Sequence, residues 1–161
     1  MKEAWFITIV SGGQTGADRA ALDWATAHGV PHGGWCPHGR LAEDGMIDPR
    51  YQLTETPDEH YSQRTEWNVR DSDGTVIFSV ADELAGGSRS TAEFARQWSK
   101  PCLHLSRAAT PDDAGARLRH FVREHGIRVL NVAGPRASNE PDVGDFVKET
   151  LSAAFFSPEG P

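Results

Sequence analysis

Apolar and polar positions along the chain form blocks that predict strands followed by helices. The β-branched run 7–10 ends in a glycine-rich turn, and the alanine-rich stretch after it carries Leu22, Trp24 and Ala25 on one side. β-branched residues favour strands, and an apolar period of about 3.6 residues marks a helix. This stretch therefore predicts a strand, a tight turn and a helix, and later apolar runs follow the same order.

The same patterns place the remaining elements. Strands are predicted over 5–10, 33–37, 75–80, 102–105 and 129–132, and helices over 15–28, 62–69, 90–99, 111–125 and 142–155. Ser62 is the expected N-cap of the second helix. The segment 38–63 has no sustained period and mixes charged residues with apolar anchors, which favours an ordered functional loop over a linker.

Strands that alternate with helices of about 10 to 15 residues indicate βαβ units. We therefore expect an α/β three-layer sandwich, with a mostly parallel sheet of about five strands and helices on both faces. The 161 residues are enough for one domain with its own core, so residues 1–161 are expected to form a single domain.

Three polar turns follow strands and are expected to meet at the carboxyl edge of the sheet, where open α/β sheets bind ligands. Helix N-termini offer free amide groups, glycines let an anion approach the backbone, and arginine adds a fork-shaped positive charge. Ordinary glycine-rich turns, solvated arginines and an aspartate that complements a helix dipole are the alternatives. The candidate binding residues are Ser11, Gly12, Gly13, Gln14, Thr15, Gly16, Asp18, Gly86, Gly87, Ser88, Arg89, Thr91, Gly134 and Arg136.

The segment 38–63 adds further candidates, because a plain α/β domain does not need so long a loop. Arg40, Glu43 and Asp44 are too charged to be buried without a ligand or a neighbouring subunit. We expect them beside the glycine turns, covering the site as a lid that is more mobile in the empty protein.

Charge and composition exclude other classes of partner. The net charge of -7 argues against nucleic-acid or membrane binding, both of which favour basic surfaces. No export signal or membrane span is recognised, and Cys36 and Cys102 form no CxxC motif, so a cytoplasmic protein is expected. The seven histidines are scattered, and no direct metal site on the protein is predicted.

Six motifs, in order along the chain, resemble the putative molybdenum carrier family, also described as the circularly permuted YpsA-like branch of the SLOG superfamily. The resemblance implies a Rossmann-like sheet, a homo-oligomer (dimer or tetramer), and binding of the intact molybdenum cofactor or of molybdate-type oxyanions. The motifs are VSGGQTGADRAALD (10–23), GWCPHGRLAEDG (34–45), RTEWNV (64–69), DSDGT (71–75), GGS (86–88) and NVAGPR (131–136).

The resemblance leaves an enzymatic alternative. The wider superfamily includes nucleotide phosphoribohydrolases, whose Pro-Gly-Gly-x-Gly-Thr-x-x-Glu motif serves an N-glycosidic bond. In this chain Ala85 replaces the proline, the third glycine is missing and the spacing to Glu93 differs. A carrier of a phosphate-bearing small molecule is therefore favoured over a hydrolase or nucleotide sensor, in which Glu93 and Arg89 would be the catalytic candidates.

The ligand itself stays open at this stage. A pterin cofactor, a nucleotide, an ADP-ribose derivative or an oxyanion would each suit a phosphate cradle with a polar loop. A nicotinamide-dependent dehydrogenase is disfavoured, because the chain has neither the Gly-x-Gly-x-x-Gly fingerprint nor an acidic residue after the second strand.

Overall fold

Five parallel strands form the central sheet of the computed structural model, which describes residues 6–109 and 112–156. Within those ranges the chain forms nine strands, of which four lie outside this sheet. In the order β2-β1-β9-β7-β8 the sheet contains His32–Gly33 (β2), Thr8–Val10 (β1), Val129–Ala133 (β9), Gly74–Ser79 (β7) and Cys102–Ser106 (β8). The predicted parallel sheet of about five strands is confirmed.

Helices cover both faces of this sheet. The helices are α1 (Ala17–Ala27), α2 (Tyr61–Arg70), α3 (Gly86–Gln97), α4 (Ala114–Glu124) and α5 (Val143–Phe155). α1, α4 and α5 pack together on one face and supply most of the main core, whereas α2 packs against α3, and α3 contacts β7 and β8. Within the described ranges, no helix is long and apolar enough to cross a membrane.

The central strand β7 is buried along its whole length, as expected for a parallel strand with helices on both faces. Phe78 meets Phe146 of α5 edge to face, with ring centroids 5.5 Å apart. On the same face, the indole nitrogen of Trp24 donates a hydrogen bond of 2.9 Å to the hydroxyl of Ser152. Burial of each large apolar side chain contributes about 1.5–3 kcal/mol, so this face holds α1 and α5 firmly against the sheet.

The segment after β2 contains four short strands, of which the first falls within the predicted strand 33–37 and the other three are not predicted by the sequence. Trp35–Cys36 (β3) pairs in parallel with Thr54–Glu55 (β6), and Leu41–Ala42 (β4) forms an antiparallel hairpin with Gly45–Met46 (β5). Two-residue strands are too short to show a period of two, which explains why the pattern gave a loop. The predicted strand 33–37 is wrong as one unit, because β2 joins the main sheet and β3 does not.

A second, smaller core fastens this segment to α1. Leu22 of α1 and Cys36 of β3 pack with Ile47 and Tyr51, and Leu53 packs against their rim. Cys36 is buried in this small core, whereas Cys102 is exposed.

Some predicted boundaries also shift. α2 begins at Tyr61 with His60 at the N-cap position, so the assignment of Ser62 as N-cap is wrong. α3 begins at Gly86, four residues before the predicted start, because the two glycines form its first turn instead of preceding it. Trp5 and Pro111, which began a predicted strand and a predicted helix, lie outside the described residues.

Strand order reverses beside β1, and this positions the candidate site. From β1 the chain first adds β2 on one side, and it returns at the end to insert β9 between β1 and β7. In open parallel sheets the crevice outside the carboxyl ends of the strands at such a reversal receives the ligand. The turns that follow β1, β7 and β9 all open there.

Aromatic residues remain at the surface on the side of α2 and α3. Trp98 keeps 42% of its area exposed, and Trp35 and Trp67 meet edge to face with ring centroids 4.8 Å apart. Exposed aromatics are common at protein interfaces. Self-association as a dimer or tetramer stays a prediction.

Candidate functional site

A cavity of about 370 Å³ opens at the carboxyl edge of the sheet, between the sheet and helices α2 and α3. All three predicted turns contribute to its wall. The predicted residues that line it are Gly12, Gln14, Asp18, Gly86, Gly87, Ser88, Thr91, Gly134 and Arg136. The predicted residues Ser11, Gly13, Thr15, Gly16, Arg40, Glu43, Asp44, Arg89 and Glu93 are not among the lining residues.

Two glycines of the first turn serve packing within the protein. Gly13 has a φ of 77°, and a Cβ there would come within 2.9 Å of Ile47 and 2.7 Å of Leu53. A Cβ on Gly16 would come within 2.4 Å of the carbonyl oxygen of Pro135 in the third turn. These glycines therefore allow the turn to close against its neighbours, and a larger residue at Gly13 would displace the segment behind it.

Asp18 and Arg64 form a buried ion pair in the cavity wall. The Arg64 guanidinium lies 3.7 Å from the Asp18 carboxylate and donates a 2.7 Å hydrogen bond to the carbonyl oxygen of Gly12. Burial raises the pKa of Asp18 to about 6, although the positive charge of Arg64 lowers it again in part. Burial also lowers the pKa of Arg64. The cavity therefore holds one acid that titrates near neutral pH.

Gln14 lines the cavity and carries a buried side-chain donor without a partner among the described residues. Its Oε1 accepts hydrogen bonds from the backbone N–H groups of Thr15 and Glu43 at 3.0 and 2.9 Å. Its Nε2 is buried and has no partner among the described residues, and the side chain is only 5% exposed. An unsatisfied buried donor costs about 1–3 kcal/mol, so this atom is a candidate contact for a ligand oxygen.

The second turn brings the start of α3 to the cavity. The first amide groups of a helix have no partner within the helix and lie at the positive end of its dipole. The N–H groups of Ser88 and Arg89 turn back to the carbonyl oxygen of Ala85. A Cβ added to Gly86 or Gly87 would meet nothing within 4 Å, so the space beside these two residues is open. An anion can approach the backbone here.

Tyr61 lies between two arginines on another wall. Its ring centroid is 5.0 Å from the guanidinium carbon of Arg64 and 5.5 Å from that of Arg136. All three residues line the cavity. Aromatic faces attract cations at such distances, and a planar ligand can stack on either kind of group. This wall suits a flat, anionic ligand.

The predicted lid residues fasten the segment to the protein and do not line the cavity. The Arg40 guanidinium donates to carbonyl oxygens of its own segment, with distances of 2.8 Å to both Asp48 and Tyr51. Asp44 pairs with Arg19 of α1 at 2.9 Å, and this hydrogen bond lowers the pKa of Asp44. The segment is therefore held by many internal contacts.

Glu43 lies beside the first and third turns and joins them. Its carboxylate accepts from the hydroxyl groups of Thr15 and Ser138 and from the backbone N–H of Ser138. These hydrogen bonds lower the pKa of Glu43. The hairpin of β4 and β5 thus closes against the rim of the site.

Residues expected to serve a hydrolase lie away from the cavity. Glu93 is exposed on α3, and Arg89 is exposed and donates a long 3.4 Å hydrogen bond to the carbonyl oxygen of Leu84. The described residues include no group of three or more His, Cys, Asp or Glu side chains that could hold a metal ion.

Other lining residues were not predicted as site residues. The lining residues from outside the predicted turns include Tyr61, Arg64, Thr65, Asn68, Ser79, Asn131, Asn139 and Glu140. A weak signal existed for Asn131, a polar residue inside the apolar strand β9, whose amide donates to Thr75. Arg64 and Asn68 fall within the motif RTEWNV (64–69), but no residue of that motif was assigned to the site, because the partners of Arg64, Gly12 and Asp18, are distant in sequence.

One family model and one crystal structure match most of the chain. The model of the "Circularly permutated YpsA SLOG family" matches residues 9–155. The crystal structure of the "Putative molybdenum carrier protein" from Syntrophus aciditrophicus SB is 49% identical, with a TM-score of 0.91. The match covers 94% of this chain and 97% of that one. No curated protein matches this chain.

A second crystal structure is far less similar. The (E)-4-hydroxy-3-methyl-but-2-enyl diphosphate reductase is 9% identical, with a TM-score of 0.40. The match covers 91% of this chain and 59% of that one.

Proposed function

The chain belongs to the circularly permuted YpsA SLOG family, and from this premise we propose that its cavity binds and carries a phosphate-bearing ligand of the molybdenum-cofactor class or a molybdate-type oxyanion. One observation carries the proposal. The open backbone beside Gly86 and Gly87, at the start of α3, lies in the wall of the cavity, which Arg136 also lines. Amide groups at a helix start and a guanidinium together suit an oxyanion.

The rest of the cavity suits the other parts of such a cargo. The molybdenum cofactor consists of a pterin ring, a terminal phosphate and a metal held by the dithiolene of the pterin. Tyr61 and its two neighbouring arginines offer a surface on which a flat ring can stack. The described residues supply no metal-ligand cluster, so in this proposal the cargo brings its own metal ligands.

The hydrolase alternative receives less support from the same geometry. Glu93 is exposed and is not a lining residue, so it is not placed to contact a ligand in the cavity. Among the described residues, three carboxylates line the cavity: Glu140 accepts from the N–H of Val80 at 2.6 Å, Asp18 is paired with Arg64, and Glu83 is exposed. Asp18 and Glu140 would each have to lose a partner before acting as a general base, so Glu83 is the carboxylate that the hydrolase alternative would have to use.

Native mass spectrometry with metal analysis of anaerobically purified protein tests the proposal. The protein is expressed in a host that makes the molybdenum cofactor. We expect a bound mass that corresponds to a pterin phosphate, together with molybdenum in proportion to it. A protein that carries only a nucleotide would assign the cavity to nucleotide binding, and an empty protein that takes up neither molybdate nor cofactor would overturn the proposal.

Two arginine variants provide the matched comparison. Arg136→Gln removes a charge from the cavity wall, whereas Arg96→Gln removes the same charge from the exposed last turn of α3. We expect the bound mass to be lost or reduced about tenfold only in Arg136→Gln, since a charged hydrogen bond contributes roughly 1.5–3 kcal/mol. Equal loss in both variants would indicate a general effect of charge.

A further inference from the structure

The side chain of Gln14 restricts the chemistry of the ligand in a way that the glycine turns do not. We propose that it is a specificity-determining residue, which presents only hydrogen-bond donors to the cavity and so selects a ligand with an acceptor oxygen at that point. The inference rests on the proposed function to the extent that the cavity must bind a small anionic ligand. The inference adds that the ligand atom opposite Gln14 must be a hydrogen-bond acceptor.

The orientation of the Gln14 amide is fixed by its surroundings. Two backbone N–H groups, of Thr15 and Glu43, point at the same atom of the amide from 3.0 and 2.9 Å. The amide oxygen can accept a hydrogen bond from an N–H group, whereas the amide nitrogen cannot. A flipped amide would set Nε2 against two donors, so Oε1 faces the backbone and Nε2 is left as the unpartnered donor of a side chain that lines the cavity.

The buried Nε2 atom then needs an acceptor from outside the chain. It has no partner among the described residues, and Gln14 is 5% exposed. A phosphate oxygen, an oxo group of an oxyanion or a ring carbonyl would satisfy it. Guanine and pterin rings carry such a carbonyl, whereas adenine presents an amino group at the equivalent position, which would set donor against donor. The cavity should therefore discriminate against adenine-type rings or make this contact through phosphate.

The hairpin of β4 and β5 holds this arrangement in place. Glu43 supplies one of the two N–H groups, and its own carboxylate is held by Thr15 and Ser138. Glu43 therefore acts through Gln14 as a positioning residue. Ser138, whose hydroxyl donates to the Glu43 carboxylate, follows β9 and is 95 positions away from Glu43 in the sequence.

Gln14→Glu is the test variant, because a carboxylate keeps the acceptor for the two N–H groups and replaces the inward donor with an oxygen. Gln52→Glu adds the same charge at an exposed position outside the cavity. Each variant and the unmodified protein are titrated calorimetrically with inorganic phosphate, molybdate, GMP and AMP. Circular dichroism is used to check that both variants are folded.

The proposal expects the affinity for the bound probes to fall at least tenfold in Gln14→Glu and to stay within about twofold in Gln52→Glu. A loss that includes phosphate or molybdate places the oxyanion at Gln14. A loss for GMP with phosphate binding unchanged places a ring carbonyl there. Unchanged affinities in Gln14→Glu overturn the inference and leave the proposed function standing, whereas an unmodified protein that binds none of the four probes overturns both.

The Glu43→Ala variant distinguishes a role of Glu43 in orienting Gln14 from a role in the stability of the fold. With the hairpin released, Gln14 is free to flip, so the ratio of GMP to AMP affinity should move towards one. A general loss of stability would lower both affinities and leave their ratio unchanged. A ratio in Glu43→Ala equal to that of the unmodified protein would contradict the positioning role of Glu43.

Discussion

At the scale of single residues, the carboxylate of Asp18 in the cavity wall loses contact with water and gains the positive charge of Arg64 as a partner. This carboxylate interacts with the Arg64 guanidinium at 3.7 Å and with the N–H of Gln14 through a 3.3 Å hydrogen bond. Burial outweighs these partners and raises the pKa to about 6. A buried ion pair of this kind is weak evidence for stability, because desolvation offsets its attraction.

This raised pKa makes stability depend on pH in a defined direction. Between the unfolded value of 3.8 and the folded value of about 6, the folded protein binds more protons at Asp18 than the unfolded chain does. The contribution of Asp18 is therefore fully present below pH 4 and is lost as the pH rises through 6. Relative to Asp18→Asn, the free energy of unfolding should fall by roughly 2 kcal/mol between pH 4 and pH 7.

Urea denaturation of both proteins across this pH range measures the difference. Glu43 and Asp44 have lowered pKa values and contribute in the opposite direction, but their effect is common to both proteins and cancels. Asp82→Asn, at an exposed position, should leave a flat difference. A flat difference for Asp18→Asn as well would mean that water or Arg64 compensates the burial of the carboxylate.

The sequence predicted the turns better than the individual contacts. Glycines after an apolar strand identify a strand-to-helix turn, and all three predicted turns reach the cavity. Which glycine faces a ligand depends on what lies behind it, and Gly13 faces Ile47 and Leu53 from a distant segment. Arg64 was missed for the same reason, since it reaches Gly12 across 52 positions of sequence. Such contacts depend on tertiary packing that local patterns do not encode.

At the scale of elements, one substitution at the start of α3 is expected to raise helix stability and to weaken ligand binding. Gly87 lies in the first turn, has no positive φ, and would place a Cβ in open space. Gly87→Ala should therefore stabilise the helix by roughly 0.5–1 kcal/mol, or about 2 °C in Tm, because alanine loses less backbone entropy than glycine. The same methyl group stands where the anion is proposed to approach, so phosphate affinity should fall severalfold.

Ser90→Ala is the matched control on the same helix. It also raises helix propensity, but Ser90 is exposed and does not line the cavity. Thermal denaturation should show both variants at or above the Tm of the unmodified protein, and phosphate titration should show weaker binding only in Gly87→Ala. Normal phosphate binding by a stabilised Gly87→Ala would place the anion elsewhere in the cavity.

Elements were predictable in proportion to their length. β7, with six apolar or small residues in sequence, and α5, with a regular apolar stripe, were placed within a residue or two of their bounds. The two-residue strands β4, β5 and β6 were missed, because their pairing depends on the small core around Ile47. The start of α3 was misplaced because consecutive glycines usually lie outside a helix.

At the scale of the whole molecule, the segment 38–63 is fastened more firmly than a free lid. Arg40 holds several of its carbonyl groups, and Tyr51 and Ile47 are buried against α1. Its exposed part is the β4–β5 hairpin, where Leu41 and Met46 keep 40% and 72% of their area exposed. Local opening is cheapest where few apolar contacts are buried, so mobility should concentrate in this hairpin.

Ligand binding should therefore order the hairpin and leave the rest of the segment unchanged. Glu43 in the hairpin donates its N–H to Gln14, and a ligand that occupies Gln14 Nε2 would stabilise this contact. Hydrogen exchange with and without a saturating probe, phosphate or GMP, measures the change. We expect slower exchange at 41–46 on binding, little change at 47–56, and none in α5, which serves as the internal reference. Equal exchange at 41–46 in both states would show that the hairpin supports folding or assembly and takes no part in capture, and a uniform change over 38–63 would mean that the whole segment closes as the lid expected from the sequence.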